Sequence, residues 1–136
     1  MQKAFTMIEL IFVIVVIGIL SAIALPKLGG TVNKAYITKG KSTLAAVRST
    51  LATERQKRIL RGNLDEITSL SGGFGTYTDE NGVTDTLLNT PVKSGCTEAG
   101  CWDVDGTTYT FYYDGGSCAF ELDESKLTGS CGVFGY

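Results

Sequence analysis

Histidine is absent from all 136 residues. That removes the commonest general base and the commonest metal ligand together. No glycine-rich loop ending in Lys and Ser/Thr occurs, so no P-loop is present, and any energy for movement must come from a separate motor. No activated nucleophile and no complete metal set can be assembled, and an enzyme reading has little support. The first 95 residues contain no cysteine. Acid is scarce in one stretch: residues 27–61 carry nine Lys and Arg against Glu54 alone, a net of +8. The remainder is the reverse, with Lys93 and Lys126 against twelve carboxylates in residues 62–136, a net of −10. The overall charge of −2 hides a basic rod followed by an acidic head.

What is there begins with one long apolar run. Residues 1–4 are a short polar leader with one cation, Lys3. Residues 5–25 are apolar apart from Thr6, Glu9 and Ser21. As a helix they reach roughly 30 Å, about one hydrocarbon thickness. Being apolar on every side, the segment needs lipid or a bundle of helices around it. Pro26 ends the run and fits a kink better than a stop, because helical patterning resumes beyond it. From Lys34 to Arg61, Leu44, Val47, Leu51 and Ile59 mark one apolar stripe, with Ala45, Ala46 and Ala52 beside it. Gly62 and Asn63 are stop residues. Residues 65–70 read as a further helical turn or two.

After Ser71 the texture changes. Thirteen of the seventeen glycines lie from Gly62 onward. Thr107–Tyr113 and Ser117–Leu122, joined by Asp114-Gly115-Gly116, read as a hairpin. Residues 131–134 suggest a third strand. Residues 72–106 read as a long loop with one short strand near 75–78. Trp102 reads as a core anchor. Tyr109, Phe111 and Tyr113 alternate, so one face of their strand should pack on the amphipathic helix.

Three readings compete for residues 1–26. A cleaved secretory signal would use Ala22-Ile23-Ala24, but an acid at the front of its apolar run is unusual. A plain membrane anchor explains the length but not Glu9. A carboxylate in hydrocarbon costs about 2.5–3.5 kcal/mol, so it should have a partner and a purpose. No cation lies within the next helical turn. Cleavage after Ala4 would create an ammonium at Phe5, and an axially shifted neighbouring copy could offer it to Glu9. Such a pair acts as a register device, because misaligned copies leave a buried charge unpaired.

Ala4-Phe5-Thr6-Met7-Ile8-Glu9-Leu10, continuing through Gly18 to Pro26, resembles the N-terminus of type IV pilins and type II secretion pseudopilins. The likeness covers about a fifth of the chain. It implies an α+β fold, in which a long N-terminal helix packs its second half on a small antiparallel sheet. The implied layout is a leader (1–4), a transmembrane and assembly helix (5–26), an amphipathic helix (27–62) and a β-rich head (63–136). It implies cleavage between Ala4 and Phe5 by a prepilin peptidase and N-methylation of Phe5. The family usually has Gly where this chain has Ala4. It also implies docking aided by Glu9, with helix loosening between Gly18 and Pro26. The implied partners are further copies in a helical filament, other pseudopilins, and an inner-membrane platform with its own ATPase. The chain would cross the bacterial inner membrane once, N-terminus cytoplasmic and head periplasmic. Flanking charge points the other way, since Lys27, Lys34, Lys39 and Lys41 outnumber Lys3 and the amine.

The leading reading is a secretion pseudopilin or related pilin subunit. A competence pilin taking up DNA is the alternative, and an anchored periplasmic domain that does not polymerise is the third. The head-out orientation favours disulfides among Cys96, Cys101, Cys118 and Cys131 over a four-cysteine zinc site. The spacing of Cys118 and Cys131 resembles the C-terminal disulfide loop of type IV pilins; Cys96–Cys101 is the matching first pair, and crossed pairings are the alternative. No cofactor is implied, although Asp103 and Asp105 resemble the start of a calcium loop that no glutamate closes. Lys39, Lys41, Arg48, Arg55, Lys57, Arg58 and Arg61 could bind DNA phosphates; contact with the acidic head of the next copy is the simpler account.

Overall fold

The computed structural model describes residues 5–135, without the side chains of residues 25–29. Ala4 therefore lies outside the described residues. The chain divides into two compact units between Lys34 and Ala35. Helix α1 runs Met7–Leu60 and is assigned without a break through Pro26. In the first unit every described side chain from Phe5 to Ala24 is exposed.

The second unit is where the apolar stripe finds its partners. Leu44, Val47 and Leu51 are 0–1% exposed. The stripe does not continue to Ile59, which is 46% exposed; Arg58 takes its place, at 7%. Arg58 stands seven residues after Leu51 and so returns to the same face, whereas Ile59 is turned roughly 100° away. Gly62 ends the helix in the left-handed region at φ 79°. Its N–H donates to Ile59 O at 2.9 Å, and Asn63 N–H donates to Arg58 O at 2.9 Å. This pair of bonds is a Schellman cap, for which Gly at that position carries no Cβ penalty.

The head holds two antiparallel sheets where one was expected. The first is β1 (Ile67–Ser71), β2 (Thr76–Asp79) and β3 (Thr84–Thr86). The second is β4 (Trp102–Asp105), β5 (Thr108–Tyr113), β6 (Gly116–Asp123) and β7 (Lys126–Thr128), paired in that order. The helical turn expected at 65–70 is thus strand β1. The Schellman cap reverses the chain, and Ile67 and Leu70 then bury toward the core on either side of a register shift. The short strand expected near 75–78 is β2, while the rest of the loop expected over 72–106 also contains β3 and β4; Asp79 and the Trp102 neighbourhood order it through long-range contacts that no local pattern reveals.

The hairpin forms as predicted, with Tyr113 opposite Gly116 and a two-residue Asp114-Gly115 turn. The third strand of this run is β7, not residues 131–134, where Gly132–Phe134 is a 3₁₀ turn. Gly129 explains the departure from the sheet. It adopts φ 130°, and a Cβ there would meet Ala119 O at 2.9 Å. Phe134 then folds back into the core at 1% exposure.

The core of the second unit joins helix and both sheets. Trp102 stands edge-on to Phe74 at 5.0 Å and touches the rings of Phe111 and Phe120. The Phe111 ring lies against the helix at Gly40, where a Cβ would come within 2.5 Å of it. The Tyr109 hydroxyl accepts from Leu70 N–H at 2.7 Å, which ties β5 to β1. Burial pushes the Tyr109 phenol above its usual range, and the bond to Leu70 offsets part of that.

Candidate functional site

Two surfaces carry the chemistry singled out in the sequence: the start of α1 and the basic side of its second half. At the start, Thr6 precedes the first helical residue. Its N–H and its hydroxyl both approach Glu9 Oε2, at 3.3 and 3.2 Å. Glu9 N–H in turn donates to the Thr6 hydroxyl at 3.4 Å. This reciprocal arrangement is a capping box, in which each side chain satisfies a helix N-terminal donor. Glu9 therefore has a partner within its own chain, beyond the neighbouring ammonium proposed above. The signal was present as Thr-x-x-Glu and is readable at that spacing.

Around that cap the surface is apolar. Phe5, Met7, Ile8 and Phe12 are 69–81% exposed. The stretch Met7–Ala24 is long and apolar enough to cross a membrane, with mean hydropathy 2.8 and none of it buried. Gly18 sits within it with open space around its Cα. Fully exposed side chains of this kind have no burial of their own, so their environment must be supplied from outside.

The basic side behaves differently from expectation. Arg48 Nε donates to Leu127 O at 2.8 Å, and its Nη2 donates to Gly129 O at 3.1 Å. Arg55 donates to Ser125 Oγ at 2.8 Å and lies 3.7 Å from Glu66. Arg58 pairs with Asp79 at 2.5 Å, with both side chains under a tenth exposed. Asp79 is further held by the N–H groups of Asn81 and Val83. The Arg58 guanidinium also lies over the Tyr77 ring at 5.8 Å. Three of the seven cations assigned to DNA or to the next copy thus hold their own head to the helix. Local sequence could not reveal this, because the partners are 11 to 81 residues away.

The four cysteines form two disulfides, Cys96–Cys101 and Cys118–Cys131, with Cα separations of 5.9 and 5.6 Å. The first closes a small loop whose Gly100 packs on the Tyr36 ring of the helix. The second pins the segment after β7 to β6. Asp103 and Asp105 fall on β4, opposite Thr110 and Thr108. Among the described residues no group of three or more His, Cys, Asp or Glu side chains is placed to hold a metal ion.

Comparison with known proteins reaches both surfaces. A family model for the prokaryotic N-terminal methylation motif matches residues 1–25. A fimbrial protein of Pseudomonas aeruginosa is 36% identical over 93 residues, which is 68% of this chain and 56% of that protein. The chain belongs to the type IV pilin family. Further relatives are the type IV major fimbrial protein FimA of Dichelobacter nodosus and a type IV major alpha-pilin of Moraxella bovis. FimA is 30% identical over 107 residues, 74% of this chain and 64% of that protein. The alpha-pilin is 51% identical over 45 residues, 33% of this chain and 28% of that protein. In each case the matched region is less than two thirds of the relative's own length. No solved structure matches significantly.

Proposed function

We propose that this pilin-family chain is a structural subunit of a type IV pilus-like filament, assembled from the inner membrane. The observation that carries the proposal is the first unit. Its helix exposes apolar side chains on every face and opens on a capped carboxylate, inside a segment that matches the methylation motif. Lipid before assembly and neighbouring helices after it both satisfy such a surface. The relatives reported above are named as fimbrial proteins or pilin, which favours a surface pilus over a secretion pseudofilament.

In this reading a prepilin peptidase cleaves between Ala4 and Phe5, and Phe5 is methylated. Glu9 keeps its carboxylate for the Phe5 ammonium of an axially shifted copy, while Thr6 holds it in place until docking. The head faces the periplasm, where two disulfides persist. This overrides the charge bias of Lys27 to Lys41. A separate ATPase drives assembly.

Deletion of the gene followed by electron microscopy of the cell surface tests the proposal. Loss of filaments, restored by the wild-type gene, is the expected result. Intact filaments together with lost export of other proteins would transfer the chain to a secretion pseudofilament. Intact filaments with lost transformation would transfer it to DNA uptake.

A further inference from the structure

We propose that Asn81 is a self-modification site, at which the peptide nitrogen of Gly82 displaces the side-chain amide and leaves an acid behind. Asparagine is one of the covalently heat-labile residues. The chain has four, and only Asn81 is followed by glycine; Lys34, Leu64 and Thr90 follow the others. Asn81 and Gly82 are both exposed, in the turn between β2 and β3. Gly82 adopts φ 77°, with open space where a Cβ would stand. Its nitrogen therefore meets no steric barrier to attack. A bond forms between Gly82 N and Asn81 Cγ, the Cγ–Nδ2 bond breaks, and ammonia leaves with the former Gly82 amide proton. The product is a five-membered succinimide. Water opens that ring at either carbonyl, leaving an aspartate or its β-linked isomer in place of the asparagine.

The fold holds both reacting groups and so sets the pace. Gly82 N–H donates to Asp79 O at 2.9 Å. Asn81 Nδ2 donates to Asp65 Oδ2 at 2.6 Å, and Asn81 N–H donates to Asp79 Oδ1 at 3.0 Å. The amide must leave Asp65 and the turn must open before nitrogen reaches carbon, so local opening governs the rate. Asp65 is the restraint on the leaving group, and Asp79, itself fixed by Arg58, is the restraint on the attacking one. The same bonds give the conversion a structural consequence. Asp65 and Asn81 tie the segment between α1 and β1 to the β2–β3 turn. After conversion the donor is gone and a second carboxylate faces Asp65, so an attraction becomes a like-charge repulsion. The turn is released from Asp65, the head gains one negative charge, and the fraction converted records the time since the chain folded.

Incubation of the purified full chain in detergent at neutral pH, followed by peptide mass spectrometry, tests the proposal. The peptide carrying Asn81 should convert to the acid, as a mixture of aspartate and its isomer, ahead of those carrying Asn33, Asn63 or Asn89. Asp65→Ala should speed the conversion several-fold, and so should urea, which releases both restraints in the wild-type chain. The urea arm stands whether or not Asp65→Ala folds. Asn81→Gln should abolish the conversion at this position, because it requires a larger ring. Conversion of Asn63 or Asn89 while Asn81 stays intact would overturn the proposal. So would a native chain unchanged at Asn81 after the urea-treated chain has converted. A product without the β-linked isomer would mean direct hydrolysis by water and would remove Gly82 from the reaction. Equal rates in the wild type, in Asp65→Ala and in urea would remove the restraint. The filament reading is independent of all these outcomes.

Discussion

The two units contain the same kinds of apolar helical side chain with opposite fates. Val13, Ile14 and Ile17 in the first unit are 43–58% exposed. Leu44, Val47 and Leu51 in the second are 0–1% exposed. The difference lies in periodicity. In the first unit apolar residues occupy every face, which no single sheet could cover. In the second they recur every three or four residues, and the head covers that one stripe. One segment carries its hydrophobic partners in its own chain, and the other must find them in a membrane or in other copies.

The contrast sets where substitutions should act. The largest effect belongs to the core of the second unit. Trp102→Ala should lower head stability by about 3–5 kcal/mol, since it empties the centre of an aromatic cluster. Ile14→Ala should leave the melting transition where it was. Equal losses from both, measured by thermal or denaturant unfolding, would break the distinction. Arg58→Met comes next. It strands the buried Asp79 carboxylate without its cation and should cost roughly 3 kcal/mol, while Arg61→Met, on the exposed side, should cost almost nothing. Opening the Cys118–Cys131 bridge with a Ser pair follows, at about 2–4 kcal/mol, again confined to the head.

Glu9 sharpens the comparison from the other side. Glu9→Gln keeps a side chain competent for the capping box but removes the charge. Head unfolding should be unchanged in both Glu9→Gln and Glu9→Ala, and filament yield should fall in both. Normal yield from Glu9→Gln alone would assign Glu9 to the cap rather than to subunit docking.

The smallest effect is electrostatic. Lys93 and Glu98 form an exposed pair at 2.7 Å. The hydrogen bond and charge of Lys93 hold Glu98 below the usual carboxylate range, and Glu98 raises Lys93 in the same way. The Glu98 contribution is present above its unfolded pKa and is lost as pH falls through the lower folded value. The Lys93 contribution is present below its unfolded pKa and is lost as pH rises through the higher folded value. Lys93→Met should therefore lower head stability slightly near neutrality, where both contributions are present, and change nothing at the acid and alkaline ends, where the pair is already lost.

Sequence made some of this legible and concealed the rest for physical reasons. The apolar run, the Gly62 stop, the 108–123 hairpin and Trp102 in the core follow from periodicity and local backbone preference, and they appear where expected. Strand β1 has no legible period, because Asp65–Leu70 is too short for either a helical or a strand pattern to dominate. Its strand state comes from pairing with β2 and from Tyr109, 39 residues from Leu70. Strand β7 is hidden for a similar reason. It is three residues long and depends on Arg48 and Arg55 reaching across from the helix. The basic stripe has the sequence signature of a surface, yet three of its arginines are internal ties. At the N-terminus the register role of Glu9 was drawn from its misplaced charge, whereas its bond to Thr6 needed only the capping spacing.

The central claim is that the first unit is an assembly device rather than a disposable signal or a plain anchor. Mass spectrometry of the mature N-terminus in its own cells tests this most directly. The account predicts a chain that begins at Phe5 and carries one methyl group on its amine. A chain that begins at Leu25, or one that retains Met1, would contradict it.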